Sequence, residues 1–538
     1  MSWRTVTVAA FSVVVVSRVV KFIKGLKAVS FLPGRRVPFQ PLSLPGVLFP
    51  ETTWNPGLLF TSTWRHTRNI YTRNGGDAFS VVPYIHGAPV LYTQSMAVAR
   101  QVVTTGHKSA TFGKAESMAA ALVFWGPSIA TAEGDLWRKY RRIMAPAFNN
   151  QTYARVWTTS QRLYADLLEV EGWNSLDVVD VPSTEALTLK FALIIIASCG
   201  FGVPFSWAAP PSHDGQLSIQ ECLQTIAHTN VFAIAAPGWV WRLPFRWIQN
   251  TRRAYDSMRV FMHEHVRARR EAIHSSETRE KDVFTLLVEA SEEEGGKMAM
   301  SDEELIGNTF ALLFAGHETT GHTLAATLAF LALHEDVQEE VAAQVREVVS
   351  ERAGGELLLE DKSRLDKVLA AFYEGVRMFP SALFLLREAK QDTTLTLELD
   401  NVKCVLPVKK GTHIVVDVIG VQYNPKYFGD PEEFRPSRWY TNSGDEKEDL
   451  TELEEVTAFG IGPRACLGRK FATTEALCLI SHLLRDWRVE PLLALKGGPS
   501  GKASELESRD AWRTRVLKAT LGLIMGLKDV PLRFVRRV

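Results

Sequence analysis

One cysteine lies in a loop whose composition suits a metal ligand. Residues 459–468 read FGIGPRACLG, with Cys466 two residues after Arg464 and directly before an apolar helical pattern that begins at Leu467. Unpaired amides and the helix dipole stabilise a thiolate at the start of a helix, and the thiolate is the form that binds metals. The alternative is a loop with an inert buried cysteine, because free cysteine is among the most buried residue types. The other residues of the loop favour the metal ligand.

A second group of reactive residues interrupts a long apolar pattern. Ser301 and Glu304 form a capping box, and the apolar run that follows continues to about His334, which predicts one buried helix of roughly thirty residues. Halfway along, residues 315–320 read AGHETT. Buried polar groups cost free energy unless they are paired, and a glycine permits close approach of a ligand. The cluster is therefore either a ligand-facing site or a hydrated polar kink.

Together the two stretches resemble the cytochrome P450 superfamily of haem-thiolate monooxygenases. The loop matches the signature F-x-x-G-x-R-x-C-x-G at Phe459, Gly462, Arg464, Cys466 and Gly468. Residues 315–320 match the pattern A-G-x-[DE]-T-T. The resemblance implies a haem with Cys466 as its axial thiolate ligand, Thr319 as a group that stabilises dioxygen and Glu318 as a group that helps to deliver protons. Heterolytic O–O cleavage at haem iron requires an electron-rich thiolate and two protons.

Further residues stand where this family binds the haem propionates. Trp137 and Arg141 are four apart and share one helical face, which by itself is also typical of a basic surface helix. Arg387 lies seven residues after Pro380. The resemblance assigns the cofactor-binding positions Trp137, Arg141, Arg387, Arg464 and Phe459.

A scaffold typical of the family has a match as well. Glu374 and Arg377 are three apart on a helix that Pro380 must end. An E-x-x-R pattern alone is weak, because any amphipathic helix yields one by chance. Arg438 follows in FRPSRW, where the resemblance implies the third member of a buried Glu-Arg-Arg network.

The amino terminus predicts a membrane anchor over residues 1–27. The chain is almost entirely apolar or small from Val6 to Val20, and the basic residues Arg18, Lys21, Lys24 and Lys27 lie at its end. A helix of fifteen residues rises only about 22 Å against roughly 30 Å of hydrocarbon, so a full span is marginal and an interfacial helix is the alternative. No small-residue cleavage site follows, which argues against a signal peptide. The positive charges predict that the rest of the chain lies in the cytosol.

The remaining chain predicts a hinge and one large catalytic domain. Residues 28–50 form the predicted hinge. Within it, the prolines and glycines between Pro33 and Pro50 exclude helix or central strand and predict a stiff extended linker. Residues from Ala78 to Leu91 predict a β-hairpin, and most of the rest has helical periodicity. We expect a mostly α fold with small β-sheets, the cytochrome P450 fold, over residues 51–538, since residues from Trp137 to Cys466 would converge on one cofactor.

Composition and motifs indicate which binding partners to expect. The 538 residues are 46% hydrophobic and 22% charged, and a formal net charge of +1 gives no reason to expect nucleic-acid binding. Five scattered cysteines form neither a disulfide framework nor a zinc pattern, which fits a reducing compartment. No flavin- or nicotinamide-binding segment is evident, so electrons should come from a separate NADPH-dependent cytochrome P450 reductase. The anchor together with these motifs indicates the endoplasmic reticulum membrane.

The substrate is expected to be an apolar small molecule. The segments expected by resemblance to contact it are poor in charged groups, which favours a bulky terpenoid or sterol over a fatty acid that needs a carboxylate clamp: 111–129, 203–250, 305–314 and 381–386. The chain resembles fungal members of secondary metabolism, so hydroxylation of such a molecule is the expected reaction. Desaturation or rearrangement by the same enzyme class stays open. A haem-binding sensor or carrier is the other alternative, which Glu318 and Thr319 argue against.

Overall fold

The structure is a computed structural model. It describes residues 3–50, 52, 54–57, 70–74, 76–105, 110–115, 126–203, 205–208, 217–275, 282–294, 296, 299–352, 354–399, 402–440, 458–497, 503–521 and 524–537. Parts of two predicted substrate segments, 116–125, 204 and 209–216, lie outside the described residues.

Helices and strands alternate irregularly along the chain. In chain order, the α-helices are α1 (Trp3–Ala28), α2 (Leu44–Leu48), α3 (Met96–Arg100), α4 (Gly134–Met144), α5 (Asn150–Val170), α6 (Thr184–Ile195), α7 (Ile219–Ala235), α8 (Arg246–His274), α9 (Val283–Glu294), α10 (Asp302–Leu333), α11 (Glu335–Ser350), α12 (Asp366–Met378), α13 (Val418–Gln422), α14 (Arg469–Asp486) and α15 (Arg509–Val516). The strands are β1 (Gly34–Phe39), β2 (Ala78–His86), β3 (Val90–Thr93), β4 (Phe112–Gly113), β5 (Val178–Val181), β6 (Phe384–Ala389), β7 (Thr393–Leu399), β8 (Val402–Val408), β9 (His413–Asp417), β10 (Trp487–Pro491), β11 (Leu495–Gly497), β12 (Ala503–Leu506), β13 (Thr520–Leu521), β14 (Met525–Gly526) and β15 (Leu532–Arg536).

The first of two compact units contains the larger sheet. The unit comprises Met1–Ala119, Ala382–Glu432 and Ala458–Ala465. Its six strands have the order β1-β2-β3-β9-β6-β4, and β2 pairs with β3 as an antiparallel hairpin in the register Ala78 to Thr93. The hairpin predicted over residues 78–91 is therefore confirmed. Gly87, at φ +105°, provides the turn.

The proline-rich run is part of this sheet. Gly34–Phe39 is the edge strand β1, parallel to β2, and Pro38 stands at a register shift between Val37 and Phe39, where an edge strand tolerates a residue without an N–H. The expectation that the run excludes helix was wrong over Leu44–Leu48. Pro45 stands in the first turn, where its missing N–H costs no bond, and Ser43 caps the helix by accepting from Gly46 N. The boundaries of anchor, hinge and catalytic domain at residues 27 and 50 remain a prediction.

Helix α1 is one continuous helix of 26 residues. It is long and apolar enough to cross a membrane, and its apolar side chains are exposed, for example Phe11 at 70% and Val13 at 69%. The helix begins at Trp3, earlier than the apolar run from Val6, so its stretch to Val20 rises about 27 Å, closer to the hydrocarbon thickness.

The second unit is predominantly helical. It comprises Ala120–Ser381, Glu433–Thr457 and Cys466–Val538, with β10, β15 and β5 in a small antiparallel sheet. Helix α10 packs against α6, α12 and α14. Ser301 accepts from Glu304 N at 3.2 Å and Glu304 accepts from Ser301 N at 2.8 Å, which is the predicted capping box. The prediction of one long buried helix that ends near His334, and of a mostly α fold with small sheets, is confirmed.

Candidate active site

Glycines shape the loop that carries the cysteine. Gly460 and Gly462 have φ of +80° and +72°, a conformation that favours glycine. A Cβ on Gly462 would lie 2.8 Å from Thr104 Oγ1, so a larger residue there would also collide. The loop then forms a single turn, closed by Ala465 N donating to Gly462 O at 3.0 Å, and α14 begins at Arg469. Cys466 thus stands just before a helix, as the sequence predicted.

Cys466 is an accessible thiol. All five cysteines are free and lie in the described residues, and Cys466 is the one that is exposed. Although its thiol is accessible, the protein atoms packed around it desolvate the thiolate, which raises the pKa of Cys466. The backbone of Gly468 and the positive charges of Arg469 and Arg141 act in the opposite direction. A soft, accessible sulfur beside amides and cations fits an axial ligand of haem iron, because a coordinated thiol is deprotonated outright.

Helix α4 carries Trp137 and Arg141. Trp137 is buried and Arg141 is half-buried, and burial lowers the pKa of Arg141 while the nearby Cys466 opposes that shift. The positive charge of Arg141 thus favours the thiolate of Cys466. That both residues contact one cofactor remains a prediction. Guanidinium and indole N–H groups are suitable donors for a propionate.

The start of α10 holds α4 in place. Lys139 Nζ donates to Glu304 Oε2 at 2.9 Å, and Tyr140 OH donates to Glu304 Oε1 at 2.8 Å. Glu304 therefore caps α10 and also connects α10 to α4 through hydrogen bonds. Sequence reasoning found only the cap, because no local signal points to a partner some 165 residues away.

The middle of α10 has an accessible patch. Ala315 is exposed and Gly316, Glu318 and Thr319 are partly accessible, whereas residues 323–332 are buried. Thr319 Oγ1 donates to Ala315 O at 2.6 Å, so the hydroxyl replaces solvent at that carbonyl. A long buried helix with a local opening at its polar residues fits a site that a ligand reaches.

Glu318 is the group in this patch that titrates near neutrality. Desolvation raises the pKa of Glu318 to about 7. The neighbouring His317 and His322 are kept neutral, because burial lowers the pKa of each to about 4. Glu318 can therefore hold or release a proton at physiological pH, as general acid–base work requires.

The remaining predicted cofactor residues belong to the first unit. Arg387 lies on β6, opposite Ile414 of β9, and its Nη1 donates to Leu386 O at 2.8 Å. Arg464 ends the turn that begins at Gly462, and Phe459 precedes it in the same loop. All three side chains are described and partly accessible; their roles toward the cofactor remain predictions.

The Glu-Arg-Arg network is present in the second unit. Arg377 Nε and Nη2 each donate to Glu374 at 2.8 Å, and Arg438 Nε donates at 3.0 Å. Glu374 and Arg377 are completely buried at their side chains. The Glu374 carboxylate accepts two further hydrogen bonds, from Trp439 Nε1 at 2.7 Å and from the backbone N–H of Arg435 at 3.0 Å. Neither was predicted, since a tryptophan and a backbone amide carry no E-x-x-R signal.

Comparisons with known proteins agree with this geometry. The family model for cytochrome P450 matches residues 60–496. Cytochrome P450 monooxygenase 124 of Postia placenta is 30% identical over 96% of this chain and 93% of its own, and the cyclooctat-9-en-7-ol 5-monooxygenase of Streptomyces melanosporofaciens is 26% identical over 68% of this chain and 73% of its own. The crystal structure of the cytochrome P450DA heme domain has the same fold, with a TM-score of 0.68 at 20% identity over 94% of this chain and 98% of that chain. The chain therefore belongs to the cytochrome P450 family, as a monooxygenase with a thiolate-ligated haem.

Proposed function

We propose that this enzyme inserts one oxygen atom from dioxygen into an apolar terpenoid- or sterol-like molecule, as a hydroxylation in secondary metabolism. The observation that carries the proposal is the accessible patch in the middle of α10, where Glu318 and Thr319 interrupt an otherwise buried helix. A helix that is otherwise buried gains no stability from the desolvated carboxyl of Glu318 at its centre, because burying a polar group is costly. Proton delivery to a bound reactant explains this carboxyl.

Each residue has a distinct part in the proposed site. Cys466 binds the iron through its sulfur, and the bound haem supplies the activation of dioxygen. Arg141, Arg464 and Arg387 bind the propionates through charge-assisted hydrogen bonds, together with the indole of Trp137, and Phe459 packs in the cysteine loop.

The proton path begins at the Glu318 carboxylate. With a pKa of about 7, Glu318 takes a proton from solvent and releases it again at neutral pH. Thr319 Oγ1 already donates to Ala315 O, so its oxygen remains an acceptor that orients a water molecule. The pair would therefore hold a proton and an oriented water at this patch of α10, where the bound haem would need them.

The substrate class is supported by the residues beside this patch. Ala311, Leu312 and Phe314 are partly accessible and apolar, and they precede the exposed Ala315 along one helix. Such a surface binds hydrocarbon and offers no clamp for a carboxylate. The Streptomyces relative is named for cyclooctat-9-en-7-ol, an alcohol by its name, which is compatible with a largely apolar substrate.

The cellular setting is also proposed. Helix α1 anchors the enzyme in the endoplasmic reticulum membrane, and the basic residues at its end keep the catalytic domain in the cytosol. Electrons come from a separate NADPH-dependent cytochrome P450 reductase.

The test is co-expression with such a reductase in microsomes that receive terpenoids, sterols and a fatty acid. We expect terpenoid or sterol products that are one oxygen heavier, absent with Cys466→Ala. Products two hydrogens lighter would indicate desaturation, and oxidation of the fatty acid alone would refute the substrate class. Haem-loaded protein that consumes no NADPH with any compound would indicate a sensor or carrier.

A further inference from the structure

The end of α1 is fixed against the β2–β3 hairpin. Arg18 Nη1 and Lys21 Nζ donate to Ile85 O at 2.6 and 3.1 Å. One turn further on, Gly25 lies so close to the hairpin that a Cβ there would be 2.7 Å from Val82 Cγ1. The rings of Phe22 and Tyr84 also meet edge to face at 6.4 Å. The helix and the sheet therefore enclose a defined space.

That space is a cleft of about 520 Å³ with a positive lining. Lys21, Lys24 and Lys410 line it, together with small and apolar residues such as Gly87 and Pro89, and no acidic residue of the described chain lines it. The volume is within the range of small-molecule sites. Three positive charges with no negative one among the lining residues favour an anion.

The lysines of the cleft are available to a ligand. Lys24 and Lys410 are exposed, and neither makes an ion pair within the described part of the chain. The nearby acid Asp392 is already used, because it pairs with Lys409 Nζ at 2.7 Å and accepts from the backbone N–H of Lys410 at 2.9 Å. The side-chain charges of Lys24 and Lys410 can therefore interact with a ligand.

The position of the cleft indicates where its ligand comes from. The apolar part of α1 ends at Val20, and Lys21 and Lys24 follow within the next turn. Tyr84 and Ile85, at the tip of the hairpin beside them, are 39% and 41% exposed, as aromatic and apolar groups often are at a bilayer surface. If α1 is inserted, the cleft lies at the depth of the lipid headgroups.

We propose that this cleft binds the phosphate headgroup of an anionic membrane phospholipid. The proposal rests on the membrane anchoring by α1 proposed above. Lys24 and Lys410 hold the phosphate from two sides, and Lys21 adds charge while it stays tied to Ile85 O. The small residues Gly87 and Gly411 leave room for the headgroup.

The test uses the full chain, purified with haem in detergent. Short-chain phosphatidylserine is titrated into wild type, into a Lys24→Gln/Lys410→Gln double variant, and into a Lys403→Gln/Lys528→Gln double variant whose exposed lysines do not line the cleft. We expect the first double variant to bind roughly tenfold or more weakly than wild type, since each lysine near a membrane contributes substantially to anionic lipid binding. The second should match wild type.

Three outcomes would overturn the proposal. They are equal binding by wild type and the cleft variant, equal losses in both double variants, and displacement of the lipid by inorganic phosphate at the same concentration, which would indicate a site for a soluble anion. Alkaline carbonate extraction of microsomes tests the anchor separately. Release of wild type by carbonate would refute the anchoring, whereas retention without phosphatidylserine binding would refute the cleft alone.

Discussion

Replacing Glu374 by alanine should severely destabilise the second unit. The Glu374 carboxylate and the Arg377 guanidinium are fully buried, and the carboxylate accepts from Arg377, Arg438, Trp439 and the Arg435 amide at 2.7 to 3.0 Å. Alanine removes the negative charge and leaves Arg377 as a buried cation without its counterion. Breaking a buried ion pair from one side costs about 3–5 kcal/mol. Because whole domains are stable by only about 5–15 kcal/mol, we expect little or no haem-loaded protein.

Urea unfolding followed by circular dichroism measures the change in free energy of unfolding, and the reduced-CO spectrum measures haem loading. The matched control is Glu351→Ala, which removes an exposed carboxylate paired with Arg364 Nη2 at 2.6 Å. That loss should be about 0–1 kcal/mol, because solvent replaces an exposed pair. A Glu374→Ala protein that unfolds like the control and carries a full complement of haem would refute the reasoning.

Three further changes test the site and its packing. Cys466→Ala should abolish the thiolate-type reduced-CO band and all turnover, while Cys404→Ala, at a half-buried thiol, should leave both intact. Because the pKa of Glu318 is raised to about 7, its proton-donating form disappears as the pH rises through that value, so wild-type turnover should fall there; Glu318→Gln should be slower and lack that pH limb. Gly321→Ala should cost about 1–3 kcal/mol in urea unfolding, because its Cβ would lie 2.8 Å from a backbone Cα of α6. Gly238→Ala, with nothing within 4 Å of the new Cβ, is its control.

A contrary result from each of these variants would contradict a different part of the reasoning. Turnover by Cys466→Ala would place the iron ligand elsewhere in the chain. A pH limb that survives in Glu318→Gln would mean that another group supplies the protons. Equal stabilities of the two glycine variants would show that the close contact between α10 and α6 adapts without cost.

The long helix α10 could be predicted because its signals are local. Ser301 and Glu304 are three residues apart, and their capping box needs no other part of the chain. The order of the strands in the larger sheet could not be predicted from local signals. Strand β3 pairs with β9, in the register Val90 to His413, and no signal within either segment selects that partner.

The active site also combines features that local sequence predicts with features that it does not. The spacing around Cys466 and Thr319 identified the reactive residues, since the motif pattern is contained in the sequence. The pKa of Glu318 depends on the packing around it, and the same is true of the tie from Glu304 to Tyr140. Sequence patterns thus identify the reactive side chains. Their pKa values and the hydrogen bonds between helices depend on the tertiary structure.

The connection from α1 to the sheet limits how the first unit can turn relative to α1. Ser30 and Phe31, at φ of 49° and 58°, reverse the chain between α1 and β1, and Ser30 Oγ donates to Pro407 O at 2.8 Å. With β1 paired along β2 and Arg18 bound to the hairpin, the described chain leaves no slack segment to act as a swivel. Once inserted, the sheet would keep a constant tilt and height above the bilayer. For the first unit, rotation about α1 would then contribute little to encounters with the proposed reductase.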